Sequence, residues 1–232
     1  MNNKKFAYLS NDWEAVFPQT DVSAAVSFMQ SMWQQLLEDY PDAIASSNKE
    51  PEITQVLGEH LYTKGELSAL SGMFNYEVPK SALDRTTGKR VRKLRTDITY
   101  LDTNFRFPSG KRLYVIFEFK KLKDNGDSRS SYVGENGMLR FINGNYAAHA
   151  DHLAFMVGLI NNNPKTTVSA LENLLKRADI RSVLHILPNP DTSYVRKPSE
   201  RFVECVDFDT VHSRTNYGEL GDIVLCHFFL EH

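Results

Sequence analysis

"RLYVIFEFKKL", residues 112–122, is the stretch on which the architecture turns. It is dense in β-branched and aromatic residues. Pro108-Ser109-Gly110 lies just before it, and the polar, glycine-bearing KDNGDSRSSYVGENG of 123–137 follows. Such a run predicts a strand with a buried interior, and the polar segment after it reads as a loop. Side chains alternate along a strand, so Tyr114, Ile116, Glu118 and Lys120 share one face while Phe117 and Phe119 take the other. A carboxylate inside that run is costly to bury alone, so it demands a partner charge. The competing reading lets the strand end emerge into solvent, with Lys120, Lys121 and Lys123 simply wet.

The residues upstream favour the first reading. TDITYLD (96–102) is a β-branched strand, and FPSGKR (107–112) is the turn after it. A hairpin folded symmetrically about Pro108-Ser109 sets Asp97 beside residues 119–121, within a register step or two of Glu118. Two carboxylates and an ammonium then converge at one edge of the sheet. Oxygen ligands so grouped suit Mg²⁺, and a neighbouring lysine can orient a water or hold a phosphate. Asp102, nearer the turn, reads as an exposed strand-end residue. Before Asp97 runs a basic stretch, 84–95, with Arg85, Lys89, Arg90, Arg92, Lys93 and Arg95. It reads as a solvated loop that could contact phosphates in a salt-dependent, sequence-blind manner.

Around this hairpin the periodicities predict helices over 21–45, 51–63, 145–160 and 167–178. They predict further strands over 73–78, 182–188, 201–208 and 222–230. The order describes an α/β or α+β core, a mixed sheet flanked by helices. At 232 residues and 41% hydrophobic content the chain can bury a sizeable core as one domain over 1–230. Within it, 1–47 forms an N-terminal helical segment, 48–160 the core with the hairpin, and 161–230 a closing helix and strands.

The formal net charge of -2 excludes a global basic field, so any nucleic-acid contact must be local. Cys205 and Cys226, with no CxxC pair, exclude a disulfide scaffold and a zinc ribbon. They are expected as buried thiols, opposite each other if a hairpin centres near Thr215. His149 and His152, with Asp151 between them, are expected to cover a helix face; no third metal ligand is in view. No apolar run matches a membrane span and the N-terminus lacks a signal-like core, which leads us to expect a cytoplasmic protein. Glu231 and His232 look like the start of an expression tag and are set aside.

Asp97, some twenty residues, then Glu118-Phe119-Lys120 resembles the PD-(D/E)xK nuclease superfamily, the restriction-endonuclease-like fold. There a helix carrying a glutamate precedes the aspartate strand and another helix follows the ExK strand, an order this sequence matches over about 48–160. Thr96 stands where the family's proline would be. The stretch GMLRFINGNYAAHADHLAFMVGLI, with Arg140 and Tyr146, and the later HSR (212–214) are similar to uncharacterised prokaryotic members, several of which look like defence proteins.

The resemblance implies a Mg²⁺- or Mn²⁺-dependent nuclease, with DNA as the expected substrate. Asp97, Glu118 and the backbone carbonyl of Phe119 would hold the metal, and Lys120 would position the water. Glu52 or Glu59 would complete the site, Glu52 preferred and Glu50 weaker. Tyr146 would lie near substrate. Lys89, Arg90, Arg92, Lys93, Arg95 and Arg140 would meet nucleic acid. A homodimer is the expected assembly. The alternative is a non-catalytic nucleic-acid-binding or defence-complex subunit that kept the fold, or a nuclease active only beside a partner protein.

Overall fold

A computed structural model describes residues 16–83, 90–107, 110, 112–146, 152–214 and 220–232. Its elements follow in chain order. Helix α1 (Gln19–Asp39) runs into a 3-10 turn (Pro41–Ile44), and α2 (Glu50–Gly65) follows. Strands β1 (Gly72–Leu83), β2 (Arg90–Arg106) and β3 (Arg112–Leu122) form an antiparallel meander. Two short helices, α3 (Gly126–Val133) and α4 (Leu139–Ile142), cross to β4 (Leu153–Ile160), which lies parallel to β3. Then come α5 (Pro164–Lys176), α6 (Ala178–Val183), β5 (Phe208–His212) and β6 (Ile223–Glu231). Among the described residues the sheet has six strands in the order β1-β2-β3-β4-β6-β5. It is mixed: β3, β4 and β6 are parallel, and the outer pairings are antiparallel. No helix among the described residues is long and apolar enough to cross a membrane.

Alternation along the strands feeds two apolar cores, one on each face of the sheet. On one face Leu113, Val115, Phe117 and Phe119 of β3 pack with α1 and α2, through Val22, Met29, Trp33, Ile53, Leu57 and Leu61. On the other, Ile116 and Leu122 pack with Tyr132, Phe141, Ile142, Leu171 and Leu175 from α3, α4 and α5. Helix α2 comes close to the sheet because residue 58 is glycine. A Cβ there would stand 2.4 Å from Cβ of Tyr76 on β1. This approach brings the first turn of α2 over β3.

Several sequence expectations need correction. The stretch 145–160 is not a helix: Leu153–Ile160 is a strand buried at every position. A central parallel strand is apolar on both faces and loses the alternation that identifies strands. Residues 147–151, with His149 and Asp151, lie outside the described residues. The stretch 123–137 holds helix α3, capped by Asn125, whose side chain accepts from Ser128 N–H at 3.0 Å. Residues 182–188 are the end of α6 and a turn, with one bridge from Ile186 to His212; Val183 is exposed.

Residues 201–207 form turns, and the strand begins only at Phe208. Cys226 therefore faces Asp209, not Cys205, although both cysteines are buried and free. Arg90–Arg95 belong to β2 rather than a loop, and Lys89 lies outside the described residues. Asp102 is buried, and its Oδ1 accepts from the N–H groups of Asn104 and Phe105 at 2.8 and 3.0 Å where the β2 register shifts. Glu231 is part of the fold: it pairs with Ile160, and its carbonyl accepts from the Trp33 indole at 2.8 Å.

Candidate active site

The β2–β3 register puts Ile98 opposite Phe117 and Asp102 opposite Leu113. One residue past Ile98, Asp97 accepts from the N–H of Phe119 through Oδ2 at 2.8 Å. The hairpin therefore places Asp97 on Glu118-Phe119-Lys120, as the sequence pairing anticipates. Glu118 is wholly buried and Lys120 nearly so, with 8% of its side chain exposed. The strand does not emerge into solvent at this point, because β4 covers β3 as far as Leu122.

Lys120 organises the site. Its ammonium stands 2.9 Å from Glu50 Oε1, 3.0 Å from Glu118 Oε1 and 4.0 Å from Asp97 Oδ2, and it also donates to the carbonyl of Phe119. Burial works against the charged lysine. The surrounding Glu118, Asp97 and Glu50 outweigh that effect and hold its pKa above the ordinary value.

Glu118 has two further partners. Arg140 on α4 donates Nη1 to Glu118 Oε1 at 2.8 Å, and the Tyr146 hydroxyl lies 3.0 Å from Oε2. Arg140 Nη1 also donates to the Tyr146 oxygen at 3.0 Å. Burial, and then the negative charge of Asp97, push Glu118 up to about 7 despite Lys120 and Arg140. Burial likewise raises Asp97, against the pull of Lys120. The protonated form of Glu118 has a place in this network. Tyr146 O–H can turn to the Arg95 carbonyl 2.8 Å away, leaving its oxygen to accept a proton from Glu118.

The helical glutamate brought to this cluster is Glu50. Its Oε1 meets Lys120 and its Oε2 accepts from Lys121 N–H at 2.8 Å. Lys121 in turn donates Nζ to the carbonyls of Ser46 and Asn48, tying the turn before α2 to β3. Glu52, by contrast, is exposed and accepts from Lys49 N–H at 2.9 Å, capping its own helix. Glu59 is also exposed and bonds Gln55 and Tyr76. Neither is joined to the cluster.

A signal for Glu50 exists in the sequence: it is in helical phase with 54, 57 and 61, which are buried in α2, whereas 52 and 59 lie off that stripe. Lys121 carries no such signal. Arg140, expected to meet nucleic acid, and Tyr146, expected near substrate, are both joined to Glu118, and Tyr146 is buried. Arg95 is exposed beside the site, while the side chains of Arg90, Arg92 and Lys93 lie outside the described set. His212 is buried in another network, and Arg214 is spent on the carbonyls of Leu220 and Gly221.

The donor chemistry fits a hard divalent cation: two carboxylates and the Phe119 carbonyl are all oxygen ligands. Both carboxylates are pushed up, chiefly by burial. Among the described residues, however, no three His, Cys, Asp or Glu side chains converge closely enough to hold an ion. The Lys120 ammonium lies among the acids, at 2.9 Å from Glu50, 3.0 Å from Glu118 and 4.0 Å from Asp97. No family model matches the chain, and neither a curated protein nor a solved structure does.

Proposed function

We propose that the chain is a metal-dependent nuclease of restriction-endonuclease-like architecture, hydrolysing phosphodiester bonds, with DNA as substrate. One observation carries the reading. Asp97 and Glu118-Phe119-Lys120 from paired strands converge with Glu50 from the preceding helix. The strand order, with a helix before the meander and a crossover after β3, supports it. Asp97, Glu118 and the Phe119 carbonyl are the groups that would hold Mg²⁺ or Mn²⁺; when bound, such an ion polarises a phosphoryl oxygen and acidifies a water.

The chain's own residues do the rest. Lys120 supplies a charge that can face a non-bridging phosphate oxygen or the attacking water. Arg140 and Tyr146 hold the Glu118 carboxylate in place through its two oxygens. Arg95, exposed next to Asp97, can meet a phosphate without reading sequence.

A second reading is a nucleic-acid-binding subunit that kept the architecture without the chemistry. It is favoured by the near-neutral charge and by a lysine within ion-pair distance of every acid of the cluster. Plasmid and single-stranded DNA incubated with Mg²⁺ or Mn²⁺ separate the two. Cleavage that disappears in both Asp97→Ala and Lys120→Ala supports the nuclease. Cleavage that survives in both variants, or DNA binding without cleavage or metal binding, sinks it.

A further inference from the structure

We infer that Lys120 is the resident counter-ion of the carboxylate cluster, and that a divalent cation enters by exchange with it. The ammonium leaves Asp97 and Glu118 but stays on Glu50. The inference rests on the metal-dependent reading above and assigns Glu50 to the lysine rather than to the metal.

The geometry makes the competition direct. The groups that would ligate an ion are Asp97, Glu118 and the Phe119 carbonyl. Each is already a partner of one ammonium, at 4.0 Å, at 3.0 Å and in a short hydrogen bond respectively. A second cation cannot share those oxygens with an ammonium at such range, because like charges a few ångströms apart repel strongly in a poorly solvated site. The lysine needs somewhere to go, and Glu50 provides it. Its Oε1 already accepts from Nζ at 2.9 Å, and its other oxygen is fixed by the N–H of Lys121. Glu50 is therefore an acceptor that stays in place while the ammonium shifts. Arg140 shares Glu118 Oε1 with Lys120, at 2.8 Å, but has no contact to Asp97 at ion-pair distance, so it competes for one ligand group where Lys120 competes for three.

Exchange predicts an affinity pattern that a mere structural role for Lys120 does not. Mn²⁺ binding to the full chain is measured by titration calorimetry. Asp97→Ala abolishes it. Lys120→Met keeps the aliphatic stem and removes the competitor, so Mn²⁺ binds about tenfold more tightly or better. Lys120→Arg keeps a competing charge and shows no such gain.

Glu50→Gln weakens Mn²⁺ binding when Lys120 is present and has no effect in the Lys120→Met background. An equal loss in both backgrounds would make Glu50 a metal ligand and overturn the inference. So would Lys120→Met binding no tighter than the native chain. Should Lys120→Met not fold, the native chain gives its own answer. The ¹⁵Nζ resonance of Lys120, identified by its loss in Lys120→Arg, must move on addition of Mg²⁺. A resonance unmoved at saturating Mg²⁺ overturns the exchange while leaving the metal site standing. Absence of any Asp97-dependent binding removes the metal-dependent reading itself, and the exchange with it.

Discussion

Two buried polar networks sit on different strands of one sheet, and they are built on opposite rules. Around Lys120 acidic and basic groups crowd together, and two carboxylates are pushed up by burial. Between β5 and β6 the groups are neutral, and every proton has a place. His212 Nδ1 is 2.7 Å from the Leu184 carbonyl, which can only accept, so Nδ1 carries the proton. His212 Nε2 then accepts from the Thr210 hydroxyl, at 2.7 Å. Thr210 accepts from His227 Nε2–H at 2.9 Å, and His227 Nδ1 accepts from Tyr132 O–H at 2.9 Å. One carbonyl fixes the direction of the whole chain. The first network keeps charge that an incoming group can use; the second closes on itself and ties α3 and the end of α6 to β5 and β6. Buried polar groups that are fully satisfied rigidify, and those left in electrostatic tension are candidates for chemistry.

The contrast breaks most sharply under substitution. Asp97→Ala is expected to lower DNA cleavage by about a thousandfold or more while the melting temperature holds, since it removes one member of a charge-strained set. Thr210→Val is expected to do the reverse. It leaves His212 Nε2 and His227 Nε2 without partners and lowers stability by roughly 2–4 kcal/mol, read by urea unfolding, with cleavage by the folded fraction unchanged. A loss of cleavage rate per folded molecule in Thr210→Val would mean that the two networks are coupled.

Acid sharpens the comparison. Burial holds His212 down at about 4, so its contribution is present above the unfolded value near 6.5 and is lost as pH falls toward 4. Glu118, raised to about 7, contributes in the opposite sense: its stability is present below the unfolded value near 4.5 and is lost as pH rises through 7. Each is worth about 3 kcal/mol over its span, and between about pH 4.5 and 6.5 their slopes oppose. Glu118→Gln removes one of them. Its unfolding free energy should therefore fall more steeply than the native protein's between pH 6.5 and 4.5; an unchanged slope would show that Glu118 is not the raised group.

The smallest effect separates two glutamates of one helix. Glu52→Ala should lower stability by about 1 kcal/mol through its cap and leave cleavage within about twofold. A large loss of cleavage there would return Glu52 to the site.

Much of this was readable in the chain. The bounds of β3 follow from its composition, and Asp97 reaches Phe119 because β2 ends at Arg106, β3 begins at Arg112 and the register between them sets Ile98 opposite Phe117. Glu50 was harder. The resemblance favours Glu52, whereas helical phase with Leu57 and Leu61 selects Glu50. β4 failed for the opposite reason, since a strand buried on both faces has no period to read. The neutral chain was out of reach altogether. Tyr132, Thr210 and His227 come from three separate elements, and nothing local distinguishes them from ordinary core residues until the sheet order is known.

The indole of Trp33 bonds the carbonyl of Glu231 across 198 positions of sequence. The contacts of the β1–β2–β3 meander, by comparison, close between neighbours in the chain. Loop closure makes the long contact the slower one, and during synthesis it cannot form until residue 231 has left the ribosome. The strands that carry Asp97 and Lys120 can therefore pair while the helix that will roof them is still waiting for its last partner. Pulse-labelled hydrogen exchange during refolding should find β2 and β3 amides protected before those of α1, and the reverse order would refute this sequence of events.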